Sequence, residues 1–320
     1  MRVIALCLNL PMDGWRTKEF GKKYPGAGWC KWMPELTRCS DTMVLTGQEA
    51  LDYPVSKDIL VIQEEHNEIG TTLIRRGAKA QVNFCLESPI FASRFYDDVP
   101  SYFKHSLLFD GGSEYIYFPS FDDEDILEPK PWSERKHLCM VTSNKHYRGL
   151  QRPENSKTWK KALEGQLHDY RYLAIDHFGT SGQLDLYGRG WNTNFGCPHP
   201  YRGECADKLA TISNYKFALC FENGSYPGYI TEKIIDCFVA GVIPVYRGAP
   251  DTERWIPNNL ALDSTELGLD FTSLELWLKD LGEHARPDRI ERAQAWLRSP
   301  EGQKYNNRVF AKRIVELCAS

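Results

Sequence analysis

The stretch from Tyr215 to Gly248 constrains the fold more than any other part of this chain. Phe217–Phe221 is an unbroken apolar run of strand length, and Gly224 to Gly228 is a turn containing Pro227. Ile234, Ile235, Phe238 and Val239 share one face of a helix that Thr231 caps and Gly241 ends, and Val242–Tyr246 returns as a second strand. This is one βαβ unit. Comparable runs recur at Val3–Leu8, Ile59–Ile62, Val82–Leu86, Leu138–Thr142, Leu184–Tyr187 and Leu260–Leu262. Most lack polar alternation, as strands covered on both faces do. Strands alternating with helix-like stretches predict an α/β protein with mostly parallel sheets.

A chain of 320 residues has room for two domains, each with its own core. The segment 120–136 carries the acidic run Asp122-Asp123-Glu124-Asp125 and the prolines Pro129 and Pro131, and it reads as an exposed linker. The expected domains are therefore 1–130 and 131–320. Two helices are expected to close the second: Pro287–Arg298, then one opened by Ser299-Pro300-Glu301 and running to about Leu317. Val309, Phe310, Ile314, Val315 and Leu317 fall roughly on one face of the latter.

In a βαβ unit ligands bind beyond the carboxyl ends of the strands, where the next helix presents free N–H groups and a partial positive charge. Lys233, in the first turn of that helix, works against the helix dipole. A bound pyrophosphate would remove the conflict, and Glu232 beside it would accept hydrogen bonds from ribose hydroxyls. Thr-Glu-Lys alone reads more simply as a helix cap with a solvated lysine. The flanking Phe221-Glu222-Asn223 and Ala240-Gly241-Val242-Ile243-Pro244-Val245-Tyr246 make the pattern far more specific. A formal net charge of −4 gives no basic footprint for nucleic acid, but leaves room for a local basic pocket that takes one phosphorylated ligand.

Taken together, Lys216-Phe217-x-Leu219-x-Phe221-Glu222-Asn223, Tyr229-Ile230-Thr231-Glu232-Lys233 and Ala240-Gly241-x-x-Pro244-Val245-Tyr246-x-Gly248 resemble the donor motif of the α-1,3/4-fucosyltransferases, glycosyltransferase family 10. Weaker echoes lie at Met140–Lys145 and Leu184–Gly190. The resemblance implies a GT-B fold, two Rossmann-like domains facing across a cleft. It also implies GDP-L-fucose as donor, an oligosaccharide or glycoconjugate acceptor, typically GlcNAc within N-acetyllactosamine, and inversion without an essential metal or other cofactor. By motif position Asn223, Tyr229, Glu232 and Lys233 bind the donor: Glu232 the ribose, Lys233 the phosphates, Asn223 and Tyr229 the nucleotide or fucose. The family's diphosphate-binding Arg, a few residues beyond Ser143-Asn144, falls on Arg152, with Arg148 as the alternative. Arg189 and Arg247 read as structural or peripheral cations.

Inverting transfer needs a carboxylate that deprotonates the acceptor hydroxyl as it attacks, placed across the cleft from the donor. Glu87, after the strand Val82–Leu86 and before Pro89, stands where a carboxylate is partly desolvated. On residues alone it reads more simply as a strand-end carboxylate paired with a neighbouring cation. The resemblance, through Glu87-Ser88-Pro89, implies the general base. Its competitor, Glu64-Glu65-His66, reads as a solvated loop. Asp13–Lys23 and Gly26–Met33 read as an acceptor loop or as ordinary surface.

Ten cysteines include no CxxC pair, and Cys197, His199 and Cys205 offer too few ligands for zinc, so no metal site is expected. Scattered cysteines in apolar runs fit a reducing compartment. Met1 leads directly into a strand-like run too short to span a membrane. The expected location is cytoplasmic, with at most peripheral contact with the inner membrane. Two alternatives keep the scaffold: a transferase using another GDP-sugar, and a non-catalytic protein that binds GDP or glycan.

Overall fold

The computed structural model describes residues 2–9, 12, 31–38, 42–54, 57–110, 114–145, 155–192, 198–263, 270–283 and 287–320. In chain order the elements are β1 (Arg2–Cys7), α1 (Trp32–Leu36), β2 (Thr42–Thr46), α2 (Gly47–Asp52), β3 (Ile59–Glu64), α3 (Glu68–Arg75), β4 (Lys79–Phe84), α4 (Ser93–Asp97), β5 (His105–Leu108), β6 (Glu114–Tyr115), β7 (Lys136–Val141), α5 (Lys157–Glu164), α6 (His168–Thr180), β8 (Leu184–Tyr187), α7 (Lys208–Ile212), β9 (Tyr215–Phe221), α8 (Glu232–Val239), β10 (Ile243–Arg247), β11 (Leu262–Asp263), α9 (Phe271–Glu283), α10 (Pro287–Leu297) and α11 (Asn307–Ala319), with short 3-10 turns between them. They form two compact units: Met1–Ser120, Pro153–Lys161 and Lys304–Ser320 in the first, Phe121–Arg152 and Ala162–Gln303 in the second.

The first unit is built on a six-stranded sheet, order β2-β1-β3-β4-β5-β6, and every pairing is parallel. Its central strands are buried on both faces, which is why they read as continuous apolar runs. Val3, Ala5, Cys7, Ile59 and Val61 pack on one side with Ala50 and Leu73 from α2 and α3. α2 begins with a capping box, Thr46 and Glu49 each bonding the other's backbone N–H. On the other side Trp32, Phe84 and Phe310 meet edge to face, with ring centroids 5.1 to 6.5 Å apart.

Phe310 belongs to α11, so the C-terminal helix packs in the first unit, whereas contiguity in the chain assigned it to 131–320. Arg313 binds Glu114 at 2.8 Å and Gln81 donates to the Leu317 carbonyl, fixing it there. Asn306 caps α11, accepting from the N–H groups of Arg308 and Val309; the predicted Ser299-Pro300-Glu301 start precedes a 3-10 turn instead. The buried stripe runs through Asn307, Phe310, Ala311, Ile314 and Cys318, and Val309 faces solvent. The expected linker is also part of a unit. Leu127 exchanges hydrogen bonds with the Val239 carbonyl and the Gln294 amide, so 121–136 lies on the second unit.

The second unit carries a five-stranded, all-parallel sheet, order β11-β10-β9-β7-β8. α6, α9 and α10 contribute Tyr170, Ala174, Phe178, Leu274, Leu278 and Ile290 to the core against Leu138, Phe217, Leu219, Phe221 and Val245. The expected α/β class with two parallel sheets is what the chain folds into. Among the described residues no helix is long and apolar enough to cross a membrane.

Candidate functional site

The residues expected at the site fall in both units: those expected to bind the donor follow β9 in the second, and Glu87 follows β4 in the first. In the second unit β9 ends in Phe221 and delivers Glu222, whose side chain is fully buried. The Glu222 carboxylate accepts the Thr231 N–H at 2.8 Å and the Thr231 hydroxyl at 2.7 Å, and the Lys233 ammonium lies 3.1 Å away. Thr231 is the N-cap residue of α8, as its position predicts, but its hydroxyl bonds Glu222 rather than the helix's own N–H groups. The cation in the first turn is therefore balanced within the protein by Glu222, a residue to which the motif alone assigns no role.

Gly248 makes this arrangement possible, because a Cβ there would come 2.1 Å from the Tyr246 hydroxyl and 2.6 Å from Glu222 Cγ.

Around this core sits a neutral cluster of named charges: Arg171, Lys208 and Lys233 against Glu222, Glu232 and Asp236. Lys208 Nζ is 2.6 Å from Asp236 and 3.7 Å from Glu232, and Lys233 Nζ is 3.5 Å from Glu232. Burial opposes ionisation of Glu232, yet Lys233 and Lys208 outweigh it and hold its pKa at about 2. Burial likewise opposes the charge on Lys233, but Glu222 and Glu232 keep its pKa above the ordinary lysine value. Glu232 is thus a permanent hydrogen-bond acceptor.

Asn223 and Tyr229 come together: Asn223 Nδ2 donates to the Tyr229 hydroxyl at 3.2 Å, and Arg171 donates to Asn223 Oδ1 at 3.0 Å. Arg171 is itself buried and also donates to the Phe221 carbonyl, so it ties the end of β9 to the loop before α8. The two weaker echoes also meet. Asn144, after β7, donates to the Gly190 carbonyl and accepts from the Tyr172 hydroxyl, while Trp191 donates to the Thr142 carbonyl. Gly188, at φ 132°, lets the β8 end pass within reach of Thr142. Arg247 stacks on Tyr170 at 4.0 Å, and Arg189 pairs with Glu204. Arg148, Arg152 and Cys197 lie outside the described residues, as does most of the expected acceptor loop.

In the first unit Glu87 is half-buried three residues beyond β4; its carbonyl accepts from the Tyr96 hydroxyl at 3.3 Å and the Cys85 thiol at 3.4 Å. The neighbouring Glu64-Glu65 is not the solvated loop expected. Glu64 is buried because it ends a central strand, and it accepts the Asn9 N–H at 2.9 Å. Burial, and then the charges of Glu65 and Glu87, push its pKa up to about 7 against the Asn9 bond. Glu65 is also raised, by burial first and by Glu87, and its carboxylate accepts from the Cys85 thiol at 3.5 Å.

Among the described residues Glu65 is the one non-glycine at positive φ, 49°. Gln63 and Asn83 hold it there by donating to its carbonyl at 2.7 and 2.9 Å. Strain of this kind gathers at functional sites. Three carboxylates therefore share one end of the sheet, and His66 is exposed.

Comparison with known proteins adds a family to this geometry. Residues 154–285 match glycosyltransferase family 10 (fucosyltransferase), C-terminal part. Over 270 residues the chain is 26% identical to GDP-fucose protein O-fucosyltransferase 3 of Xenopus laevis, covering 76% of this chain and 52% of that protein. Over 48 residues it is 51% identical to the alpha-(1,3)-fucosyltransferase FucT of Helicobacter pylori, covering 15% of this chain and 10% of that one. The chain spans about half the length, or less, of the first curated relatives it matches. A crystal structure of an alpha1,3-fucosyltransferase with GDP shares its fold, with a TM-score of 0.56 at 17% identity over 99% of this chain and 89% of the other. The expected GT-B fold is borne out by that likeness.

Proposed function

We propose that this chain moves L-fucose from GDP-β-L-fucose to an acceptor hydroxyl, a reading supported by the match of residues 154–285 to glycosyltransferase family 10 (fucosyltransferase), C-terminal part. The observation that carries this reading is the start of α8, where Lys233 and the positive end of a helix stand together past the carboxyl ends of β9 and β10. Lys233 meets the diphosphate, with Arg152 as a second cation. Glu232, ionised at neutral pH, accepts the ribose hydroxyls. Asn223 and Tyr229 shape the wall against the nucleotide or fucose.

The chemistry is a single displacement. The acceptor oxygen attacks the anomeric carbon of fucose as Glu87 takes its proton, and the bond from that carbon to the β-phosphate oxygen breaks. Configuration inverts. Lys233 and the helix N-terminus stabilise the charge on the departing GDP, so no metal is needed for that step. The first acceptor to try is N-acetyllactosamine, with attack by the 3-hydroxyl of GlcNAc. The match over 76% of the chain to a protein O-fucosyltransferase favours a second acceptor class, a hydroxyl of a polypeptide. The cytoplasm is the proposed location.

The test is GDP release from GDP-fucose and from GDP-mannose, each with and without N-acetyllactosamine or a polypeptide acceptor. Acceptor-dependent release from GDP-fucose alone is expected. Preference for GDP-mannose would move the donor assignment. GDP binding without turnover on either acceptor would make the protein a binder.

A further inference from the structure

Glu232 does not stand alone at the start of α8. Lys208, twenty-four positions earlier in the sequence, opens the short helix α7 and brings its ammonium to 2.6 Å from Asp236 and 3.7 Å from Glu232. Asp236 is one helical turn beyond Glu232 on α8, so Lys208 bridges two carboxylates stacked on one face of that helix. Asp236 is buried, and the Lys208 side chain is three-quarters covered. Lys233 lies 3.5 Å from the same Glu232 oxygen, Oε1, and Glu222 also holds it at 3.1 Å. The Glu232 carboxylate is thus clamped at one oxygen by two ammoniums, Lys208 from α7 and Lys233 from α8.

We propose that Lys208 is a positioning residue for donor binding, holding the Glu232 carboxylate in the orientation in which it accepts the ribose hydroxyls of a guanosine diphosphate. This rests on the reading of Glu232 as the ribose acceptor. Lys208 touches neither the sugar nor the phosphates. Its anchor, Asp236, is a buried carboxylate 2.6 Å from the ammonium, so the ammonium stays where Asp236 puts it. Without Lys208, Glu232 follows Lys233 alone, and Lys233 is drawn towards Glu222 and, on donor binding, towards the diphosphate. The second ammonium thus frees Lys233 to meet phosphate while Glu232 keeps its place. Burial works against the charge on Lys208, but Asp236 and Glu232 raise its pKa above the ordinary value, so the clamp persists across the physiological range.

The experiment titrates GDP and 2′,3′-dideoxy-GDP into the full chain by calorimetry. In the wild type, two ribose hydroxyls on a charged acceptor are expected to favour GDP by about tenfold. Lys208→Met should reduce that preference to about twofold and leave the dideoxy affinity within about twofold of wild type, since the phosphate contacts remain. Lys208→Arg should keep the preference. Because Lys208→Met strands a buried Asp236, Lys208→Met/Asp236→Asn is measured beside it and should show the same loss of preference.

A tenfold preference surviving in both Met variants would overturn the proposal, as would an equal fall in affinity for the two nucleotides. Failure of the underlying reading looks different. In that case the wild type itself would fail to distinguish GDP from the dideoxy analogue, and Glu232→Gln would leave GDP affinity unchanged.

Discussion

Replacing Glu64 by glutamine removes a carboxylate that the fold holds at about 7 against an ordinary value of 4.5. The folded protein binds this proton more tightly than the unfolded chain does. The group's cost is therefore absent below about pH 4.5, grows as pH rises, and is complete above about 7. The full difference is about 3 kcal/mol, from 1.36 kcal/mol per pH unit, with roughly 1 kcal/mol already lost at pH 5. Glutamine keeps an oxygen to accept the Asn9 N–H and carries no charge beside Glu65 and Glu87. Urea unfolding of the wild type and Glu64→Gln at pH 5, 6, 7 and 8 reads the effect. The variant's advantage should grow by about 2 kcal/mol between pH 5 and 8. A constant gap across pH, or one that narrows as pH rises, would refute the raised pKa of Glu64.

Three further outcomes follow from the second unit. Lys233→Ala should weaken GDP binding by at least about tenfold, the value of a charge-assisted bond, and unchanged affinity in calorimetry would undo the phosphate assignment. Glu222→Ala strips the acceptor from the Thr231 N–H and hydroxyl and leaves Lys233 without its closest carboxylate. It should cost about 3–5 kcal/mol in urea unfolding, and a loss under about 1 kcal/mol would mean the Glu222 cluster holds nothing. Gly188→Ala puts a Cβ 2.0 Å from the Thr142 carbonyl oxygen at φ 132°. A loss of roughly 2 kcal/mol or more is expected, read as a lowered unfolding midpoint; no change would mean the loop relaxes freely.

Most strands that sequence located are buried on both faces, where the apolar run is continuous; β1, β3, β4, β7, β9 and β10 fall within a few residues of their predicted places, and β8 does so although it is buried only at alternate positions. β2 and β5 are only half-buried and β6 is two residues long, so none carries a run long enough to announce itself. The apolar side of α11 could be sensed, but no local signal says which sheet receives it, and contiguity pointed to the other unit. The same limit applies at the site. Lys233 stood out because it defies the helix dipole within one turn, whereas Glu222, Arg171 and Lys208 act through partners 9, 52 and 28 positions away. Two adjacent glutamates after a strand look solvated until the fold is known to bury the first and twist the second to positive φ.

The central claim is the proposed fucose transfer, with the donor bound at the start of α8 and Glu87 as the proton acceptor. Fucose transfer by wild type and Glu87→Gln, measured beside GDP affinity in the same preparations, tests it most directly. The expected result is acceptor-dependent transfer from GDP-fucose by the wild type, and a loss of at least about a hundredfold in the variant, the usual contribution of a general base, at GDP affinity within about twofold. Transfer by Glu87→Gln at the wild-type rate would contradict the account.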